Sequence, residues 1–344
     1  MHYLQKITFR RLTMTTTSAQ EFLFRGIKEL LPDDVSMVDV VSEILHISSD
    51  SAYRRIRGET PLVLEEALVL CRHFHLSFDQ LSEKRSGSIL FQNISINNNH
   101  YSYEQYLGEL VGLVKQINQT LQKEIIYLSK DVPLFHNFYF KPLIAFRYFF
   151  WMKSILQHPD FINREFEFNC VTPEIEQLSR ELVKGYIKIP STEIWNTESI
   201  NSTISQIEFI KDSGLFSSAS DIKKVYDALE ESVLHVKAQA ETGIKFMPGE
   251  ETRHLTPDFR FFYNRIVLGD TTIFISADQK KSVYLNYSVL NYMMTKDEEF
   301  CKQCRNDLNN LMKRATLISQ TGEKQRNIFF GILLSKIQDR KRNL

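Results

Sequence analysis

A mainly α protein of two domains is what this sequence predicts: a small N-terminal helical bundle, then a larger helical domain containing one small antiparallel β-meander. Three features predict it. Apolar residues recur in steps of three and four along most of the chain. That period gives way between Asp258 and Tyr287 to short β-branched and aromatic runs. Residues 84–102 mix Ser, Gly and Asn with little periodicity and read as a connector. The expected division is a first domain over 18–85, a linker over 86–102 and a second domain over 103–344, with strands near 258–287. A chain of 344 residues is comfortable for two domains. Its 43% hydrophobic and 12% aromatic content, with 25 phenylalanines, indicates packed cores rather than disorder.

The first domain is defined by SMVDVVSEILHISSDSAYRRIRGE, Ser36 to Glu59, where the period breaks once and resumes. Val38, Val41 and Leu45 share one face of a short helix, while Asp39 and Glu43 point elsewhere. Ser36 with Asp39 three residues on has the form of a capping box, so the helix starts near Met37. His46 falls where a bihelical unit must turn, and Ile47 tucks that turn under both helices. Ser48, Ser49, Asp50 and Ser51 are all good N-cap residues for a second helix running to Arg57. Gly58 stops it, since glycine enters the left-handed conformation without steric cost. Ala52 and Ile56 then face inward and Tyr53, Arg54 and Arg57 outward. Such a face suits a major groove, where arginine reaches a guanine edge with two hydrogen bonds and serine or tyrosine positions phosphates.

This segment resembles the lambda-repressor-like class of helix-turn-helix. The continuation ETPLVLEEALVLCRHFHLSFDQL carries the resemblance through Gly58, Pro61, Leu64, Ala67, Leu68, Leu70, Phe74, Leu76, Ser77, Asp79 and Leu81. Within the class, SDSAYRRIRGETPL looks most like the BetR-type subgroup of bacterial regulators. The resemblance covers residues 18–85, implies a five-helix bundle, and puts Ser49, Asp50, Tyr53, Arg54 and Arg57 at recognition-helix positions that approach bases or phosphates. Ser51 joins them as a hydroxyl near the phosphates. Two departures stand out: His46 replaces the usual turn glycine and must take a left-handed conformation, and Asp50 repels phosphate unless it caps the helix or accepts from a cytosine amine.

Charge bounds what this helix can do alone. Lys+Arg and Asp+Glu balance at 42 each, so any attraction to nucleic acid is local. Within residues 18–85 acidic side chains outnumber basic ones. Backbone affinity of a monomer is therefore modest, and a homodimer on double-stranded DNA is the expected binding form. The rival reading is an adaptor whose N-terminal bundle docks onto a protein and never meets DNA.

Four cysteines, Cys71, Cys170, Cys301 and Cys304, make no disulfide framework in a chain of this size and fit a reduced cytoplasmic setting. Cys301 and Cys304 form a C-x-x-C, but the second ligand pair of a closed zinc site is missing, so neither metal nor cofactor is expected. Residues 1–14 lack the apolar core of a signal peptide, and Met14 is a plausible start. FYFKPLIAFRYFFWMKSIL, Phe138 to Leu156, holds Lys141, Arg147 and Lys153 within the span a membrane helix needs, so no membrane association is expected.

In the second domain Tyr103, Leu107, Leu110, Val114, Ile117, Leu121 and Leu128 alternate in steps of four and three, broken at Glu124. That seam either dimerises as a coiled coil or packs into the domain, because Tyr106, Val111, Leu113, Ile125 and Ile126 widen the stripe. Helices follow near 143–157, 173–187, 198–212 and 219–240, then FRFFYNRIVLG, TTIFISA and KSVYLNY as strands, then helices near 297–318 and 323–339. LISQTGEKQRN, Leu317 to Asn327, is the best candidate for a ligand-facing site. Thr321 and Gly322 make a turn, and Lys324 and Arg326 lie in a helical first turn that favours an anionic effector. A plain capped connection explains the same residues. His136, His158, His235 and His254 are scattered singly, and no nucleophile–base set indicates an enzyme. The expected function is a DNA-binding transcription regulator whose second domain senses a small molecule or oligomerises.

Overall fold

The computed structural model describes residues 19–32, 34–74, 76, 89–94, 102–251, 258–266, 269–288 and 291–344. The chain divides into two compact units, Met1–Leu90 and Phe91–Leu344.

The smaller unit holds α1 (Ala19–Leu30), α2 (Met37–Leu45), α3 (Ser49–Ile56) and α4 (Leu64–His73). Leu23, Phe24, Ile27, Val41, Ala52, Ala67, Leu70 and Cys71 form its core. A fifth helix would fall on residues 77–85, and these, with Ser77, Asp79 and Leu81, lie outside the described residues.

The larger unit corrects the mainly α expectation, because it is built on an eight-stranded mixed sheet and is an α/β fold. In chain order it comprises β1 (Gln92–Ile94), α5 (Tyr103–Gln119), β2 (Lys123–Leu128), α6 (Lys141–Phe150), α7 (Pro159–Ile162), α8 (Pro173–Ile187), β3 (Ser191–Trp195), α9 (Asn201–Asp212) and α10 (Ala219–Thr242). It continues with β4 (Phe259–Tyr263), β5 (Thr272–Ala277), β6 (Lys280–Asn286), β7 (Tyr292–Thr295), α11 (Glu298–Arg314), β8 (Thr316–Leu317) and α12 (Glu323–Lys341). The sheet order is β1-β7-β6-β5-β2-β3-β4-β8. Strands β2, β3 and β4 are mutually parallel, and every other pairing is antiparallel. Parallel neighbours need helical crossovers, which α6 to α8 supply between β2 and β3, and α9 and α10 between β3 and β4.

The meander expected near 258–287 is therefore one flank of a larger sheet, and the physical reason is burial on both faces. Ile125 and Tyr127 of β2 face the main helical layer with Trp195, Phe259, Phe261 and Tyr263. Ile126, Ile194, Phe262, Phe274 and Val283 face the other way, onto Cys301 and Leu308 of α11. A strand buried on both sides loses its alternation, and Lys123–Leu128 reads as a continuation of the preceding helix. That helix ends at Gln119, with Thr120 as its C-cap. The expected linker also contains an edge strand, since Gln92–Ile94 pairs with Tyr292–Met294.

The seam starting at Tyr103 packs inward: Tyr103, Tyr106, Leu107, Val111, Val114 and Ile117 are all buried. The aromatic run expected to be a soluble helix is α6 followed by a π-helical turn, Trp151–Ile155. No helix among the described residues is long and apolar enough to cross a membrane.

Candidate nucleic-acid interface

Local chemistry fixes the bihelical unit. Ser36 caps α2, accepting from the Asp39 N–H at 3.4 Å. At its other end His46 adopts the left-handed conformation, φ 52° and ψ 44°, and its N–H donates to the Glu43 carbonyl. The Ile47 N–H returns to the Ser42 carbonyl at 3.0 Å, so the turn closes around an imidazole-bearing residue where glycine is cheaper. Ser48 is the residue that caps α3, accepting from the Ser51 N–H at 3.3 Å and donating to the Ser51 hydroxyl at 2.9 Å. Gly58 ends the unit at φ 74°.

Helix α3 separates its arginines by role. Arg55 turns inward and donates a two-pronged pair to Glu66 of α4, both bonds 2.9 Å. That fork holds the Glu66 carboxyl below the usual carboxylate range. Gln20 of α1 ties the same region together, donating to the carbonyls of Arg55 at 2.6 Å and Thr60 at 2.8 Å and accepting from the Leu62 N–H at 3.0 Å. Sequence reasoning missed both, since partners 11 and 35 residues apart leave no periodic trace.

The outward face carries Ser49, Asp50, Tyr53, Arg54 and Arg57, all exposed, whereas Ser51 is half-buried beside its cap. Arg54 Nε lies 3.2 Å from Asp50 one turn back. Arg57 sits over the Tyr53 ring at 5.5 Å, donates to its hydroxyl at 3.2 Å and pairs with Glu59 at 3.4 Å. All four charged groups are more than half exposed, so these pairs are weak and open at little cost.

The turn after β8 is arranged differently from its expectation as an anion site. Gly322 takes φ 72° with the Leu317 carbonyl so close that a Cβ would meet it at 2.7 Å. Arg326 is buried and donates to the carbonyls of Ile318 at 2.8 Å and Thr321 at 3.1 Å, fastening the turn from within. Thr321 and Lys324 remain exposed, so the three residues are not brought to one surface.

A buried polar inset in the larger unit is the feature the sequence concealed most completely. Glu193 of β3 is fully buried and accepts from His136 at 2.9 Å, the Tyr186 hydroxyl at 2.6 Å and Trp195 Nε1 at 2.9 Å. Burial pushes its carboxyl up, but the His136 and Tyr186 hydrogen bonds and the nearby Lys245 charge outweigh this and leave it below the ordinary range. Lys245, also buried, donates to the Tyr186 carbonyl at 3.0 Å, to the Ile189 carbonyl and to the Ser191 hydroxyl at 2.7 Å, and burial brings it down to about 8. Arg147 of α6 is buried with Asn137 at 3.1 Å, Gln206 and Thr203 as acceptors, and Asp131 at 3.8 Å. His136 and His235 thus have structural partners, His158 is a surface residue, and His254 lies outside the described residues.

Among the described residues no group of three or more His, Cys, Asp or Glu could hold a metal ion. Cys301 is buried and Cys304 half-buried on α11, where burial pushes the Cys304 thiol up to about 11. Cys304 borders a groove of about 390 Å³ lined by Leu128, Thr272, Leu285, Phe300 and Leu308. Comparison with family models, with curated proteins and with solved structures returns no match to this chain.

Proposed function

We propose that this chain is a sequence-specific DNA-binding transcription regulator of the cytoplasm that reads double-stranded DNA with α3 and acts as a homodimer. One observation carries the reading: α3 sends Arg55 inward as an anchor and leaves Tyr53, Arg54 and Arg57 on one exposed face beside a closed turn. A helix held this way presents long polar side chains to a groove without loosening its own packing. Arg54 and Arg57 exchange their exposed carboxylate partners for guanine edges or phosphates. Ser49 and Tyr53 position the backbone, and Asp50 accepts from a cytosine amine. A dimer predicts a pseudo-palindromic operator with half-sites about one helical turn apart. The larger unit supplies sensing or oligomerisation, and the mostly apolar groove beside α11, with Gln303 and Asp307 in its wall, suits a small apolar effector better than the Thr321 turn suits an anion.

The test is selection of host genomic fragments by the full-length chain, followed by footprinting with Tyr53→Ala and Arg54→Ala. Both variants are expected to keep the fold and lose protection at the selected site. Wild-type footprints from both would sink the assignment.

The adaptor reading draws on one observation of its own. An open groove of about 620 Å³ runs between α2 and α4, lined by Val40, Ile44 and Val69 with Glu43, His46, Arg72 and His73. A protein partner would dock there. Salt titration of full-length chain on genomic fragments separates the two readings: a steep slope with sequence preference supports DNA, and no retention at low salt supports the adaptor.

A further inference from the structure

We propose that the outer face of α12 is a homodimer interface, an inference that takes from the DNA-reading proposal only the need for a second copy. Helix α12 buries Arg326, Phe329, Phe330, Leu333 and Ile337. The opposite face, Lys324, Ile328, Gly331, Ser335 and Asp339, recurs in steps of four and three, and all of it is exposed. Ile328 is 44% exposed, Ile332 at its border 37%, and Leu234 on neighbouring α10 is 45%. Around Gly331 nothing lies within 4 Å of a would-be Cβ, so the backbone can be approached closely there. Helix α10 packs antiparallel beside α12, with Arg326 reaching Glu241 at one end and Lys341 reaching Asp227 and Glu230 at the other. Two helices therefore stiffen the surface.

Charge selects the occupant. Lys324 stands in the first turn of α12 and Asp339 in the last, where each opposes the dipole of its own helix. Lys324 makes no ion pair among the described residues, and Asp339 pairs only with exposed Arg342. A second α12 laid antiparallel across the first, Gly331 of one copy against Ile332 of the other, resolves both defects. That register sets Ile328 against Ser335 and Lys324 against Asp339, since every pair straddles the same midpoint. Each cation then lies beside a helix C-terminus and each anion beside an N-terminus. The arrangement is isologous, so every contact is made twice. The Tyr103 seam packs inward and does not supply the dimer contact.

Sedimentation equilibrium of the full-length chain without DNA tests the proposal. The wild type is expected to dimerise, and Lys324→Glu or Asp339→Lys to weaken the dimer about tenfold. The combined exchange, K324E with D339K, restores it, which a general loss of fold would not. Ile328→Asp with Ile332→Asp is expected to weaken association by about a hundredfold or more, with an unchanged circular dichroism spectrum. A chain monomeric throughout, or a dimer indifferent to the Ile328 and Ile332 changes, overturns the interface. A chain that dimerises through α12 yet retains no DNA overturns only the DNA-reading proposal, and one that footprints as a monomer overturns this interface and the homodimer of that proposal while leaving α3 as the reading helix.

Discussion

In the smaller unit Arg54 and Arg57 point into solvent and are held by exposed carboxylates two residues or one helical turn away. In the larger unit Glu193, Lys245 and Arg147 are buried, and most of their polar partners come from other elements. The contrast concerns what a charge costs in each place. An exposed pair loses little when it opens, so it can be exchanged for a ligand. A buried charge whose partner is removed stays buried and unpaired, so its environment is part of the fold. Exposed, exchangeable side chains are therefore found on α3, and the buried cluster of the larger unit ties β3 to its neighbours.

The largest effect that could break this contrast is at Glu193. Glu193→Ala leaves His136, Tyr186 and Trp195 without their acceptor, and the larger unit is expected to lose about 3–5 kcal/mol in urea denaturation. Signals from the smaller unit are expected to stay unchanged. Wild-type stability in Glu193→Ala would mean that the cluster is poised for something other than holding β3, and the search for a site would move there.

Where pairs are local, the sequence was readable. The cap at Ser36, the left-handed His46 and the stop at Gly58 all follow from residues within one turn of each other. Helices α8, α10 and α12 begin at Pro173, Ala219 and Glu323, where their periods place them. Strands β2 and β3 were not readable. Glu193 looks like a surface residue until His136, Tyr186 and Lys245 are brought to it from three separate segments. Ser191 and Thr192 are buried beside it, so β3 shows no apolar run at all. On α3 the outward set was readable from the sequence, but the inward turn of Arg55 was not, because its partner Glu66 lies on the next helix.

Arg55 and Arg54, adjacent on α3, sharpen the comparison within one helix. Arg55→Ala is expected to cost the smaller unit about 1–3 kcal/mol, since Glu66 is left without its charged donor. Arg54→Ala is expected to change stability by less than about 0.5 kcal/mol yet weaken operator binding about tenfold or more. Thermal melts and footprint titrations on the same two variants read both quantities. Equal losses of stability would show that the helix does not divide its arginines as the geometry implies.

The smallest effect is a pH dependence confined to the Arg55–Glu66 fork. The fork holds the Glu66 carboxyl low, so as pH falls the unfolded chain takes up this proton before the folded one does. The stabilisation is then fully present above the ordinary glutamate value, about 4.3, and is lost as pH falls through the lower folded value. Both side chains are less than a fifth exposed, so solvent screening removes little of the effect. Other carboxylates titrate in the same range, which makes the informative quantity the difference between wild type and Glu66→Gln. Urea midpoints of the smaller unit measured from pH 6 to pH 3 should converge for the two proteins as acid is added. A gap that stays constant across that range would mean that the Arg55 fork holds by shape and hydrogen bonding alone, with the charge on Glu66 irrelevant to the stability of the unit that carries α3.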